Sequence, residues 1–98
     1  MAEPIYRVYV IELDDSLRKG TEKPAVYVGY SAKTPEERFA QHLRGERASR
    51  HVRDHGVRLR PRLYQSYPVA TSRPEAEALE QHVADRLRCR GFTVYGGH

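Results

Sequence analysis

A chain of 98 residues, 39% of them hydrophobic, has room for one domain with a modest core and not for two. No apolar run approaches the length of a bilayer span, and no charged-then-apolar leader precedes the first strand-like segment, so a soluble, cytoplasmic protein without a membrane partner is expected. Seventeen Lys and Arg against thirteen Asp and Glu leave a net charge of +4, for which a polyanion is the natural partner.

Residues 5–13, IYRVYVIEL, are β-branched and aromatic and are closed by Asp14-Asp15, the pattern of a largely buried strand. A polar loop over 14–24, long for a hairpin, leads to a second strand over 25–30 that pairs antiparallel with the first. Thr34 is placed to cap a helix with Pro35 in its first position and Glu36 and Glu37 at the positive end of its dipole. That helix runs to about Arg44 and stops at Gly45. A short helix over 48–55 ends at Gly56, and residues 57–66 form a third strand, interrupted by Pro61 and therefore at an edge.

Pro74 opens the last helix, which carries Ala76, Leu79, Val83 and Leu87 at helical spacing until Gly91 ends it. Residues 92–95 add a short strand. Cys89 is the only cysteine, which rules out an internal disulfide and a Cys-rich zinc site built from one chain; at the end of this helix it reads as a packing residue. The whole chain, 1–98, is expected to be a single α/β (α+β) domain: a small central antiparallel three-stranded sheet flanked by helices.

Arginine supplies fourteen of the seventeen cations, and Arg44, Arg47, Arg50, Arg53, Arg58, Arg60 and Arg62 share their stretch with only Glu46 and Asp54. A planar guanidinium binds phosphate oxygens in pairs where lysine acts as a point charge, which points to nucleic acid; a merely solvated basic surface is the plainer reading. Glu80 lies about 40° from the centre of the last helix's apolar stripe, so it points inward. A carboxylate there needs a cation: an arginine, or a metal.

Arg38 and His42, four residues apart, stack on one side of the first helix at the border of a Phe39 and Leu43 stripe, where they would line a cleft rim; alone, such a pair is more often a surface feature. Tyr9 and Tyr27 sit mid-strand among valines, either as core with the hydroxyl tied off or as reactive phenols, and Gly29 leaves room for something to approach. His51 and His55 have a spacing that could hold zinc, but with no carboxylate or thiol nearby they belong with the basic surface. No Gly-rich phosphate loop, nucleophile elbow or kinase set is present.

Taken in order, Arg7-Val8-Tyr9, Tyr27-Val28-Gly29, Arg38-Phe39-Ala40-Gln41-His42 and Glu75-Ala76-Glu77-Ala78-Leu79-Glu80 resemble the motifs of the GIY-YIG nuclease family, small α/β domains that cut DNA with a divalent metal. The resemblance implies that Glu80 holds one Mg²⁺ or Mn²⁺, that Arg38 clamps non-bridging phosphate oxygens, that Tyr9 or Tyr27 takes a proton from the attacking water, and that His42 accepts or orients that proton. Lys33 stands near the place where members carry a lysine or threonine after the second motif. Many members also use an asparagine after the last helix; this chain has none, and Tyr95 or Gly96-Gly97-His98 occupies that place.

The partner implied is DNA, branched or damaged DNA included, with Lys33, Arg44, Arg47, Arg50, Arg53, Arg58 and Arg60 on its phosphates. With no room for a separate reading domain, sequence specificity would come from a homodimer, a partner protein or the shape of the nucleic acid. A binding module that kept this fold but lost catalysis, and a purely structural domain, are the competing readings.

Overall fold

The structure, a computed structural model, describes residues 4–20 and 22–97. Strand β1 (Arg7–Leu13) and strand β2 (Ala25–Ser31) form the antiparallel pair the sequence predicts, with Tyr9 opposite Gly29 and Ile11 opposite Tyr27. Helix α1 (Pro35–Leu43) follows at once, capped by the Thr34 hydroxyl, which accepts from the Glu37 amide, and helix α2 (Arg50–His55) leads into strand β3 (Gly56–Leu59). Helix α3 (Arg73–Cys89) and strand β4 (Thr93–Gly96) complete the order.

The sheet has four strands, not three, in the order β3-β1-β2-β4. The added strand is β4, which lies parallel to β2 with Ala25 beside Thr93 and Val28 beside Gly96. A parallel pair needs a crossover, supplied here by everything between β2 and β4; nothing local to residues 92–95 signals it. The third strand is also shorter than expected, because Pro61 does not interrupt it but starts a 3₁₀ turn, Pro61–Leu63, just after it ends. As Pro61 predicts, β3 is an edge.

Both faces of the central strands are covered, so Val8, Tyr9, Val10 and Ile11 are all buried and read as a continuous apolar run rather than an alternating one. His42 of α1 touches Tyr9 on one face. Tyr30, on the other, donates to Glu77 of α3. The α3 stripe is Ala76, Glu80, Val83, Ala84 and Leu87, with Leu79 only partly buried.

Two local expectations are corrected, and a third is refined. In α1, Phe39 packs against the core as expected, but Leu43 is 49% exposed and His42 takes the buried place at 1%. The helix is rotated toward the phenols because the imidazole finds polar partners there that leucine could not use. Cys89 is exposed rather than packed, since it lies off the Val83 and Leu87 line. The loop over 14–24 contains a 3₁₀ turn, Asp15–Leu17, capped by the Asp14 carboxylate. No described helix is long and apolar enough to cross a membrane.

Candidate active site

The β1–β2 register sets Tyr9 and Tyr27 on one face as diagonal neighbours, with ring centroids 6.4 Å apart. Gly29 lies under the first of them: a Cβ there would stand 2.6 Å from Tyr9 Oη and 2.7 Å from its Cζ. The glycine of the second motif is therefore the space in which the tyrosine of the first one rests. From α1, His42 closes over both rings, at 6.1 Å from Tyr9 and 5.6 Å from Tyr27.

His42 Nε2 is 3.0 Å from Tyr9 Oη, and its Nδ1 accepts from the Ser49 amide at 3.1 Å. An amide N–H can only donate, so Nδ1 carries the lone pair and the proton of the neutral ring sits on Nε2. His42 thus donates to the phenol oxygen. Burial, aided by the Arg38 charge, pushes the imidazole down to about 4, which keeps this neutral tautomer in place across the physiological range.

Burial pushes the Tyr9 phenol well above its usual range; the neighbouring Tyr27 and the Glu80 charge add to that while Arg38 opposes it. Tyr27 is raised by the same cause, desolvation first and Glu80 second, with Ser49 and Arg38 pulling down. Glu80 arrives from α3 and is 8% exposed, inward as the stripe predicts. Tyr9, Tyr27 and His42 are thus in mutual contact, and the charges of Arg38 and Glu80 act on both phenols.

Arg38 is held by the segment after its own helix. Its Nη1 donates to Gln41 Oε1 and to the Glu46 carbonyl, both at 3.3 Å, and Nη2 donates to the Arg47 carbonyl at 2.8 Å. The segment turns sharply to do this: Gly45 has φ 81° and Arg47, unusually for an arginine, φ 45°. Residues 45–49 therefore fix the guanidinium through Glu46 and Arg47 and the imidazole through Ser49. Ser49 escapes sequence reasoning, since it carries neither a charge nor a motif, and Gln41 fills a position between Arg38 and His42 to which the motif assigns no role; the hint is the Gly45 stop followed so soon by another helix.

Among the described residues no three His, Cys, Asp or Glu side chains gather as a metal cage. Glu80 is the one acid that reaches the phenols' neighbourhood from the apolar face of α3. A single carboxylate suits a hard cation that keeps water and phosphate oxygens as its other ligands, as Mg²⁺ does, and does not suit zinc. The His51 and His55 spacing leads to different neighbours: His51 lies against Tyr95 at 4.5 Å, and His55 Nδ1 is 2.9 Å from Asp14 Oδ2.

Four arginines of the expected band are ion-paired. Arg44 meets Glu46 and Arg53 meets Asp54, each at 3.0 Å, while Arg58 and Arg60 converge on Glu12 at 3.3 and 2.7 Å. Glu12 comes from β1, where Arg58 is its strand partner, and so is invisible to a tally confined to one stretch. Arg50 and Arg62 are exposed. Lys33 and Arg47 instead join Arg38 in a cleft of about 810 Å³, together with Arg73, Tyr6 and Tyr30. Tyr95, one of the stand-ins for the asparagine, spends its hydroxyl on the Leu17 carbonyl. Gly97 packs beside Ala84, and His98 lies outside the described residues.

No curated protein and no solved structure gives a significant match to the chain. The model of the GIY-YIG catalytic domain, however, matches residues 5–91, from just before β1 to just after α3. With a match of that extent and the motif residues gathered at one place in the fold, the chain belongs to the GIY-YIG catalytic-domain family, a family of endonucleases.

Proposed function

We propose that this protein is a divalent-metal-dependent endonuclease that hydrolyses DNA phosphodiester bonds, with Tyr9, Tyr27, Arg38, His42 and Glu80 as its active site. The observation that carries the reading is the buried Tyr9–His42 hydrogen bond, fixed from behind by Ser49 and set beside Arg38. A purely structural tyrosine would not require an imidazole locked in one tautomer against its oxygen.

Mg²⁺ or Mn²⁺ held by Glu80 would supply Lewis-acid stabilisation of the leaving oxygen. Arg38, held by the Glu46 and Arg47 carbonyls, offers its guanidinium to the non-bridging oxygens without first having to be ordered. Tyr9 acts as general base in its phenolate form. It takes one proton from water as the water oxygen bonds to phosphorus and the bond to the leaving oxygen breaks. His42 holds the phenolate oxygen through Nε2–H, so of the two roles expected for it, orienting rather than accepting the proton is the one its tautomer suits. Tyr27 packs beside both rings and shields the pair.

A catalytically silent DNA-binding module is the second reading, favoured by the missing asparagine and by two phenols that resist ionisation. The deciding experiment is cleavage of supercoiled, linear, branched and single-stranded DNA with Mg²⁺ or Mn²⁺ by wild type, Glu80→Ala and Arg38→Ala. Metal-dependent nicking lost in both variants supports the nuclease. Salt-sensitive binding by the wild type with no cutting under any condition replaces it with the silent module.

A further inference from the structure

The cleft extends beyond Arg38 in a way the catalytic reading does not use. At about 810 Å³ it falls within the roughly 300–1,000 Å³ typical of pockets that enclose a discrete ligand. Tyr6 and Tyr30 contribute an edge-to-face pair, centroids 5.9 Å apart. Both are anchored: Tyr6 exchanges two backbone hydrogen bonds with Ala70, each 2.8 Å, and the Tyr30 hydroxyl donates to Glu77 at 3.2 Å.

Around this pair stand Lys33, Arg47 and Arg73, none of which has an ion-pair partner among the described residues. Two of them occupy costly places. Arg47 accepts a left-handed backbone, and Arg73 opens α3, where a cation opposes the helix dipole. The Arg47 backbone is set by the turn whose carbonyl holds Arg38, whereas the cation at Arg73 is not explained by the stability of its own helix.

From this arrangement we infer that the Tyr6, Tyr30 and Arg73 end of the cleft is a subsite for an unpaired nucleotide of the DNA strand adjoining the scissile phosphate. The inference rests on the nuclease reading for the location of that phosphate. Aromatic rings within a cationic groove are the chemistry that holds single-stranded nucleic acid, because every base has a face to stack and every link a phosphate to neutralise. A base paired inside a continuous duplex presents only its edge and has no face to offer these rings. The favoured substrate class is therefore a duplex carrying a flap, bulge or gap at the cut.

The test is equilibrium binding in EDTA, which removes cleavage from the readout. A continuous duplex is compared with one of equal length bearing a short flap, with 2-aminopurine at the unpaired position. Wild type should bind the flap about tenfold tighter and quench the 2-aminopurine. Both effects should disappear in Arg73→Gln, an exposed position that leaves the core intact, and in Tyr30→Leu; Arg86→Gln, in the last turn of α3, should keep them. Equal affinity for the two DNAs, or a flap preference that survives Arg73→Gln and Tyr30→Leu, overturns the subsite. Absence of metal-dependent cleavage would count against the nuclease and leave this binding comparison to be read independently.

Discussion

Tyr9, His42 and Gly29 form one mechanical unit. The phenol lies on the glycine and receives a hydrogen bond from the imidazole, so each can be tested through the others. Tyr9→Phe keeps the ring and removes only the oxygen; cleavage should fall by about 10²–10⁴-fold, the range for loss of a general base, and the buried His42 Nε2–H left without its acceptor should cost about 1–3 kcal/mol of stability. Gly29→Ala should cause a comparable loss by displacing the phenol, and in addition cost about 1–3 kcal/mol of stability from overpacking, measurable by urea unfolding. Equal activity in Gly29→Ala and wild type would mean that the Tyr9 position does not matter.

His42 also sets two pH dependences. Its folded value of about 4 lies below the ordinary 6.5, so between those values the unfolded chain binds a proton that the folded chain refuses. Stability should therefore be complete above about pH 6.5 and decline as pH falls toward 4, and His42→Gln should flatten that decline in thermal melts taken across the window. Because the imidazole stays neutral, the pH profile of cleavage should show no inflection near 6.5. Instead it should climb on the alkaline side, where the raised Tyr9 phenol begins to ionise. A bell centred on a histidine would assign the base elsewhere.

Among the elements, the segment over 45–49 matters more than its size suggests, since it carries three of the hydrogen bonds that place Arg38 and His42. Gly45→Ala puts a side chain on a backbone at φ 81° with only the Arg53 Cδ, 3.6 Å away, for company. The expected cost is about 1 kcal/mol from backbone strain alone, yet cleavage should drop by more than that loss of stability explains, because the turn aims both side chains. Kinetics at a temperature where the variant is fully folded would separate the two effects.

Much at this level is legible in the chain. Thr34-Pro35 and Gly91 mark boundaries through steric and capping rules that operate within a few residues, and the structure places them accordingly; Pro61 marks the edge strand but follows its end instead of interrupting it. What stays hidden is long-range. The parallel partner of β2, the pairing of Glu12 with two arginines, and the exchange of Leu43 for His42 as the buried residue of α1 all depend on neighbours supplied by other elements. The candidate site is readable where side-chain chemistry is conspicuous, as with Arg38 and Glu80. It is unreadable where a backbone group acts, as with Ser49.

For the molecule as a whole, the distribution of positive charge is narrower than the count of arginines implies. Arg53 and Arg58 share their charge with Asp54 and Glu12, whereas Lys33, Arg47 and Arg73 rim the cleft without an acid in ion-pair range among the described residues. DNA affinity should fall log-linearly with salt, and Lys33→Ala, Arg47→Ala or Arg73→Ala should each reduce the slope by about 1, the change expected when one phosphate is no longer neutralised. Arg53→Ala and Arg58→Ala should change it less. Equal effects at all five positions would spread the DNA over the whole arginine-rich face instead of along the cleft.

The parallel seam between β2 and β4 has a consequence in time. It joins segments separated by most of the chain, and closing so large a loop is slow compared with forming the β1–β2 pair. Strand β2, which bears Tyr27 and Gly29, must wait with one edge bare until β4 arrives. In stopped-flow refolding, hydrogen-exchange protection of β1 amides should precede that of β4, and competence to cut should return with the later phase. During synthesis the same order would keep the nuclease inert until β4 has cleared the ribosome.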